Sequence, residues 1–107
     1  MAGGAHTASN DEIQMMARVF AGIHDPRTMR RFMEEILTPA EMRDLVLRWR
    51  LLQRLHGGEP QRRIAGELGV SLCKITRGSR ILKRPESVTA GILNAQSSDG
   101  RPVAGEP

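Results

Sequence analysis

The stretch TPAEMRDLVLRWRLLQRLH, Thr38 to His56, constrains the fold more than any other part of the chain. Thr38 and Glu41 stand at capping-box spacing, Pro39 takes the first helical position, and Gly57 with Gly58 supplies the stop, so one uninterrupted helix is predicted here. Its apolar residues fall on two sides: Met42, Leu45, Val46, Trp49 and Leu52 form one stripe, and Leu47, Leu51 and Leu55 another. A helix apolar on so much of its circumference needs partners on both sides. The chain has 107 residues, enough for one ordinary domain with a modest core. A second copy of the chain is the economical source of the missing cover, which makes a homodimer the expected assembly; a monomeric bundle wrapped around this helix is the alternative.

The rest of the chain points to packed helices. Phe20, Phe32 and Trp49 are the only aromatic residues, so the core must be built mainly from Leu, Ile, Val and Met, and the fold class expected is all-α. Ser9 and Glu12 open a first helix whose Ile13, Met16, Ala17, Phe20 and Ile23 share a face. Asp25 and Pro26 open a second, with Met29, Phe32, Met33, Ile36 and Leu37 at helical spacing. Residues 1–8 and 96–107 are rich in small residues, Gly, Pro and Ser, and are expected to form a flexible arm and tail around a helical domain over 9–95.

Between Pro60 and Lys83 the pattern is that of a helix-turn-helix. Pro60 starts the short helix QRRIAGEL, Gly69 ends it, Val70 is the turn hydrophobe, and Ser71 caps the helix LCKITRGSRILK. Counting from Gln61, the small Ala65 falls fifth, Gly69 ninth, Val70 tenth and Ile75 fifteenth. Each has a reason: Ala65 permits close approach, Gly69 permits the turn, and Val70 with Ile75 seals the angle between the helices.

Charge concentrates in the same segment. Residues 61–84 carry seven cations (Arg62, Arg63, Lys74, Arg77, Arg80, Lys83 and Arg84) against Glu67 alone, which leaves the remainder of the chain net acidic under an overall charge of +4. Such a concentration fits a polyanion. In a helix-turn-helix the start of the second helix enters the major groove and its flanks meet phosphates. Leu72, Cys73 and Thr76 are therefore the candidates for base edges and thymine methyls. Arg62, Arg63, Lys74, Arg80 and Lys83 are the candidates for phosphate, with Arg62 or Lys74 also able to reach a guanine. Gln61 and Ser71, at the starts of the two helices, complete the DNA-facing set.

These residues resemble a known family. LTPAE, Leu37 to Glu41, and KITRGSRILK, Lys74 to Lys83, with HGGEPQRR and GELG between them, are similar to the LTPxE and ITRGS motifs of the bacterial Trp repressor family. The resemblance covers about residues 30–84. It implies an intertwined helical homodimer with two helix-turn-helix heads that represses genes of tryptophan metabolism when L-tryptophan is bound. The implied ligand residues are Arg48 and Arg77, which sandwich the indole, Thr38 and Arg77 at the carboxylate, backbone carbonyls near Glu35 and Leu37 at the ammonium, and Gly78, which leaves room for the ring. Stacking and carboxylate pairing both suit guanidinium chemistry. Three positions depart from the family pattern: Ile81 stands where a serine is usual, the segment between Gly58 and Gln61 is about one residue shorter, and Glu35 replaces an apolar residue.

The expected mechanism is a population shift, the ligand favouring a head spacing that fits successive major grooves about 34 Å apart. Two rivals stand beside it: a constitutive DNA-binding protein of the same fold with an altered or absent ligand, and a basic helical module that docks an acidic protein. Enzyme chemistry is not expected, because His6, His24 and His56 are dispersed, have no metal-ligand spacing, and no phosphate-cradling glycine loop follows a strand. Cys73, the single cysteine, rules out an internal disulfide and reads as a groove-facing contact rather than a redox centre. With no secretory or membrane-length apolar run, a soluble cytoplasmic protein is expected.

Overall fold

The computed structural model describes residues 7–98, and these are helical without a strand among them. Six helices follow in order: α1 Asn10–Ala21, α2 Pro26–Ile36, α3 Pro39–His56, α4 Gln61–Leu68, α5 Leu72–Lys83 and α6 Val88–Ser98. The flexible arm and tail expected at the two ends lie largely outside the described residues. α6 does continue through Ser98, past position 96 where the tail was expected to begin.

The helix starts follow from local hydrogen bonding. At α1 the Ser9 hydroxyl accepts from the Glu12 N–H at 3.2 Å while the Glu12 carboxylate accepts from the Ser9 N–H at 2.9 Å. The same reciprocal pair opens α3, with Thr38 and Glu41 at 3.1 and 2.8 Å. Asp25 caps α2 by accepting from both the N–H and the hydroxyl of Thr28. These contacts satisfy donors that have no partner within the helix.

The chain divides after Met42 into two units. In the first, Phe20 and Phe32 meet edge to face, with ring centroids 5.7 Å apart and planes at 77°. Neither α1 nor α2 buries a residue, and Ile13, Met15, Val19, Phe20 and Ile36 are all exposed.

The second unit holds the core: Leu51 and Leu52 of α3, Ile64 of α4, Ile75 of α5 and Leu93 of α6, flanked by Trp49, Leu55, Ala65, Leu68, Val70 and Leu82. Ile64 and Ile75 are completely enclosed, and they lie on either side of the turn at residues 69–71. Gly69 takes the left-handed conformation there (φ 66°, ψ 32°), and its N–H donates to the Ala65 carbonyl. Ser71 then caps α5 by accepting from the Lys74 N–H. Of the two α3 stripes, only their C-terminal ends enter the core; Leu45 and Val46 remain 42% and 46% exposed.

One ion cluster fixes the exit from α3. The Arg54 guanidinium donates to Glu59 Oε1 through Nε at 2.9 Å and Nη2 at 2.6 Å, and also pairs with Glu67 of α4. Arg63 reaches the same Glu67 at 3.5 Å. The bond to Arg54 holds the Glu59 carboxyl below the ordinary 4.5, and Asp25 is lowered likewise by its bonds from Thr28. At the same end of α3, His56 Nε2 lies 2.7 Å from Asn94 Oδ1 of α6.

Gly66 and Gly78 are both helical glycines, yet opposite effects are expected from adding a methyl. A Cβ at Gly66 meets nothing within 4 Å, whereas one at Gly78 would lie 2.9 Å from Leu51 Cδ2 and 3.0 Å from Leu55 Cδ1. Thermal unfolding of Gly66→Ala should show a gain of about 0.5–1 kcal/mol from backbone entropy and propensity. Gly78→Ala should unfold earlier, the cost of overpacking being about 1–3 kcal/mol against a smaller propensity gain. A melting series in pH provides a second check. A carboxyl lowered on folding stabilises above its unfolded value and loses that contribution as pH falls through the folded one. The melting temperature should therefore drop below about pH 4.5, and Glu59→Gln should make that drop shallower.

Candidate ligand cavity and basic face

α3 and α5 present matching stripes to one another within the second unit. On α3, Asp44, Leu47, Arg48, Leu51 and Leu52 recur at i, i+3, i+4, i+7 and i+8, which places them on one face. On α5, Lys74, Arg77, Gly78 and Ile81 recur at i, i+3, i+4 and i+7. Together with Val70 from the turn these residues enclose a cavity of about 90 Å³. Its walls are leucine, valine and isoleucine, and its polar rim consists of three cations and one carboxylate. Arg48, Lys74, Arg77 and Asp44 have no ion-pair partner among the described residues, so their charges are available to a ligand.

Four of the six residues expected to hold a ligand thus come together: Arg48, Arg77, Gly78 and Ile81. The other two do not line the cavity. Leu37 ends α2, its N–H donating to the Met33 carbonyl, and the Thr38 hydroxyl accepts from Glu41. Gly78 lines the cavity and also has a packing role. Its missing side chain makes room first for Leu51 and Leu55, because α5 could not lie so close to α3 with a Cβ at that position.

The opposite side of α5 forms an open depression bordered by Leu72, Cys73, Thr76, Arg77, Arg80 and Arg84. Leu72 is 57% exposed, so it faces outward rather than contributing to the core. The Thr76 hydroxyl donates to the Leu72 carbonyl at 2.9 Å. Ser71 is likewise occupied as a cap, and Lys74, expected on the outer face, borders the inner cavity. Arg77 borders both.

Gln61, Arg62 and Arg63 are exposed at the start of α4, with Arg63 tied to Glu67. Gln61 and Lys83 border a further depression with His56, Glu59 and Ser79. Sequence reasoning overlooked Asp44 and Arg84. Asp44 precedes Arg48 by one helical turn, so projecting α3 around its axis from Arg48 would have found it. Arg84 was counted in the charge of the segment but was not assigned to its surface. Among the described residues no group of three His, Cys, Asp or Glu side chains could hold a metal ion, and no helix is long and apolar enough to cross a membrane.

No solved structure matches the chain. Trp operon repressor homologs of Xylella fastidiosa strains M23 and 9a5c are each 37% identical to it over 71 residues, covering 65% of this chain and 77% of theirs. The family described as Trp repressor protein matches residues 11–97, spanning all six helices except Asn10 at the start of α1 and Ser98 at the end of α6. With the motifs, the helical architecture and this match in agreement, the chain belongs to the Trp repressor family.

Proposed function

We propose that the protein is a sequence-specific, DNA-binding transcriptional repressor that acts as a homodimer and takes L-tryptophan as its co-repressor. The observation that carries this reading is the position of α5, which has the Arg48 and Arg77 cavity on one side and an outward basic face on the other. In this reading α4 and α5 form a helix-turn-helix head. Leu72, Cys73 and Thr76 are offered to base edges, while Arg62, Arg80 and Lys83, joined by Arg84, are offered to phosphates. A ligand seated against Arg77 would bias the orientation of α5, and only a ligand with different affinities for the two orientations can act this way.

The dimer reading is supported by apolar surface. Exposed Ile13, Met15, Val19, Phe20 and Ile36 on α1 and α2, and Leu45 and Val46 on α3, are apolar residues that a second copy would cover. Ile81 favours a second reading, in which the same fold binds DNA without an amino-acid ligand. It adds an apolar wall to the cavity rather than a hydrogen-bonding group.

A gel shift on a palindromic duplex from the protein's own genomic neighbourhood, with and without L-tryptophan, separates the two; tryptophan-dependent retardation is expected, and equal retardation selects the second. Arg77→Ala should weaken tryptophan binding in calorimetry and duplex binding together. Lys83→Ala should leave tryptophan binding intact while lowering the slope of log affinity against log salt by about 0.9 for each phosphate that is no longer neutralised. Sedimentation should give twice the chain mass, and Val46→Glu should shift the protein toward monomer.

A further inference from the structure

His56 is the last residue of α3, and its side chain meets a different helix: Nε2 lies 2.7 Å from Asn94 Oδ1 of α6. The same side chain borders the depression that holds Gln61 of α4, Ser79 and Lys83 of α5, and Glu59 of the connection between α3 and α4. Gln61 and Lys83 face DNA in the repressor reading, so a duplex seated on them passes over this depression. Its hydrogen-bonding character suits an anion. Lys83, Gln61 and Ser79 supply donors. The one carboxylate among them, Glu59, is already neutralised by Arg54, which donates to its Oε1 through Nε and Nη2. Glu67 is held by the same arginine, and α6 contributes no charged residue.

We propose that His56 is a pH-dependent phosphate contact of the DNA-binding head, donating to a backbone phosphate when its ring is protonated and releasing it when the ring is neutral. This deepens the reading of α4 and α5 as a DNA-binding head and rests on it. An amide oxygen only accepts, so the bond to Asn94 keeps a hydrogen on Nε2 in both charge states. The neutral ring then carries a bare lone pair at Nδ1, which a phosphate oxygen repels. Proton uptake at Nδ1 creates a donor and a positive charge together, and imidazole is the side chain that ordinarily makes this change between about pH 5 and about pH 8. Arginine and lysine stay charged throughout that range. The other cations of the head therefore give a constant attraction, to which His56 adds a variable one.

The test is fluorescence anisotropy of the full chain, with L-tryptophan present throughout, on a labelled duplex of arbitrary sequence and on the palindromic one. Both are titrated at about pH 8 and about pH 6 in the same salt. Phosphate contacts carry no sequence information, so either duplex reports the effect. The unaltered protein should bind both about fivefold more tightly at the lower pH, the worth of one solvent-facing charged contact. The slope of log affinity against log salt should steepen there by about 0.9 for each head that gains a phosphate. His56→Gln should bind as weakly at the lower pH as at the higher, and His56→Lys should bind tightly at both. A pH step that survives in both variants, or its absence from the unaltered protein while duplex is still bound, overturns the His56 assignment and leaves the DNA reading standing. Failure of the unaltered protein to bind either duplex at low salt overturns the DNA reading itself, and the His56 assignment with it.

Discussion

A first side-chain carbon at position 78 would approach Leu51 to 2.9 Å and Leu55 to 3.0 Å, and the second unit is organised around the fact that it has none. Without it α5 settles on the leucines of α3, and Ile75, three residues earlier, joins the enclosed centre with Ile64. The cavity is a result of the same approach. The backbones come close at Gly78, while the long side chains of Arg48, Lys74 and Arg77 and the branched Ile81 stand around that meeting point and leave a small space beside it. A close-packed interior tolerates few voids, and the rim of this one carries four charges with no ion-pair partner among the described residues.

The turn at residues 69–71 has a comparable influence on α5 from its other end. Gly69 adopts a conformation that costs other residues about 1–2 kcal/mol, and the Ser71 cap sets where the helix begins. The start of α5 is fixed by backbone geometry and its middle by packing on α3. Arg77, between those two points, belongs to both surfaces of the helix.

Much of this was legible in the sequence, where local chemistry decided it. The reciprocal bonds of Ser9 with Glu12 and of Thr38 with Glu41 are specified by residues three apart, and Asp25 before Pro26 is just as local. Gly69 announced its turn for the same reason. What escaped depended on distant residues. That Gly78 answers to Leu51 and Leu55, that Asp44 shares a rim with Lys74, and that Thr76 spends its hydroxyl on the Leu72 carbonyl all follow from how helices are placed or rotated, which spacing alone does not give. Even the α3 stripes, correctly seen as apolar, could not reveal that Leu52 would be buried and Val46 left exposed.

The guanidinium of Arg54 is shared by two carboxylates, Glu59 just beyond the end of α3 and Glu67 in the last turns of α4. Its planar fork serves both at once, which the point charge of a lysine does less well. Loss of the arginine would do more than remove two attractions, because it would leave the like charges of Glu59 and Glu67 without the cation that both of them contact. Positions 54, 59 and 67 therefore behave as one unit of change: a substitution at any of them alters what the other two can tolerate, and their mutational effects cannot be added.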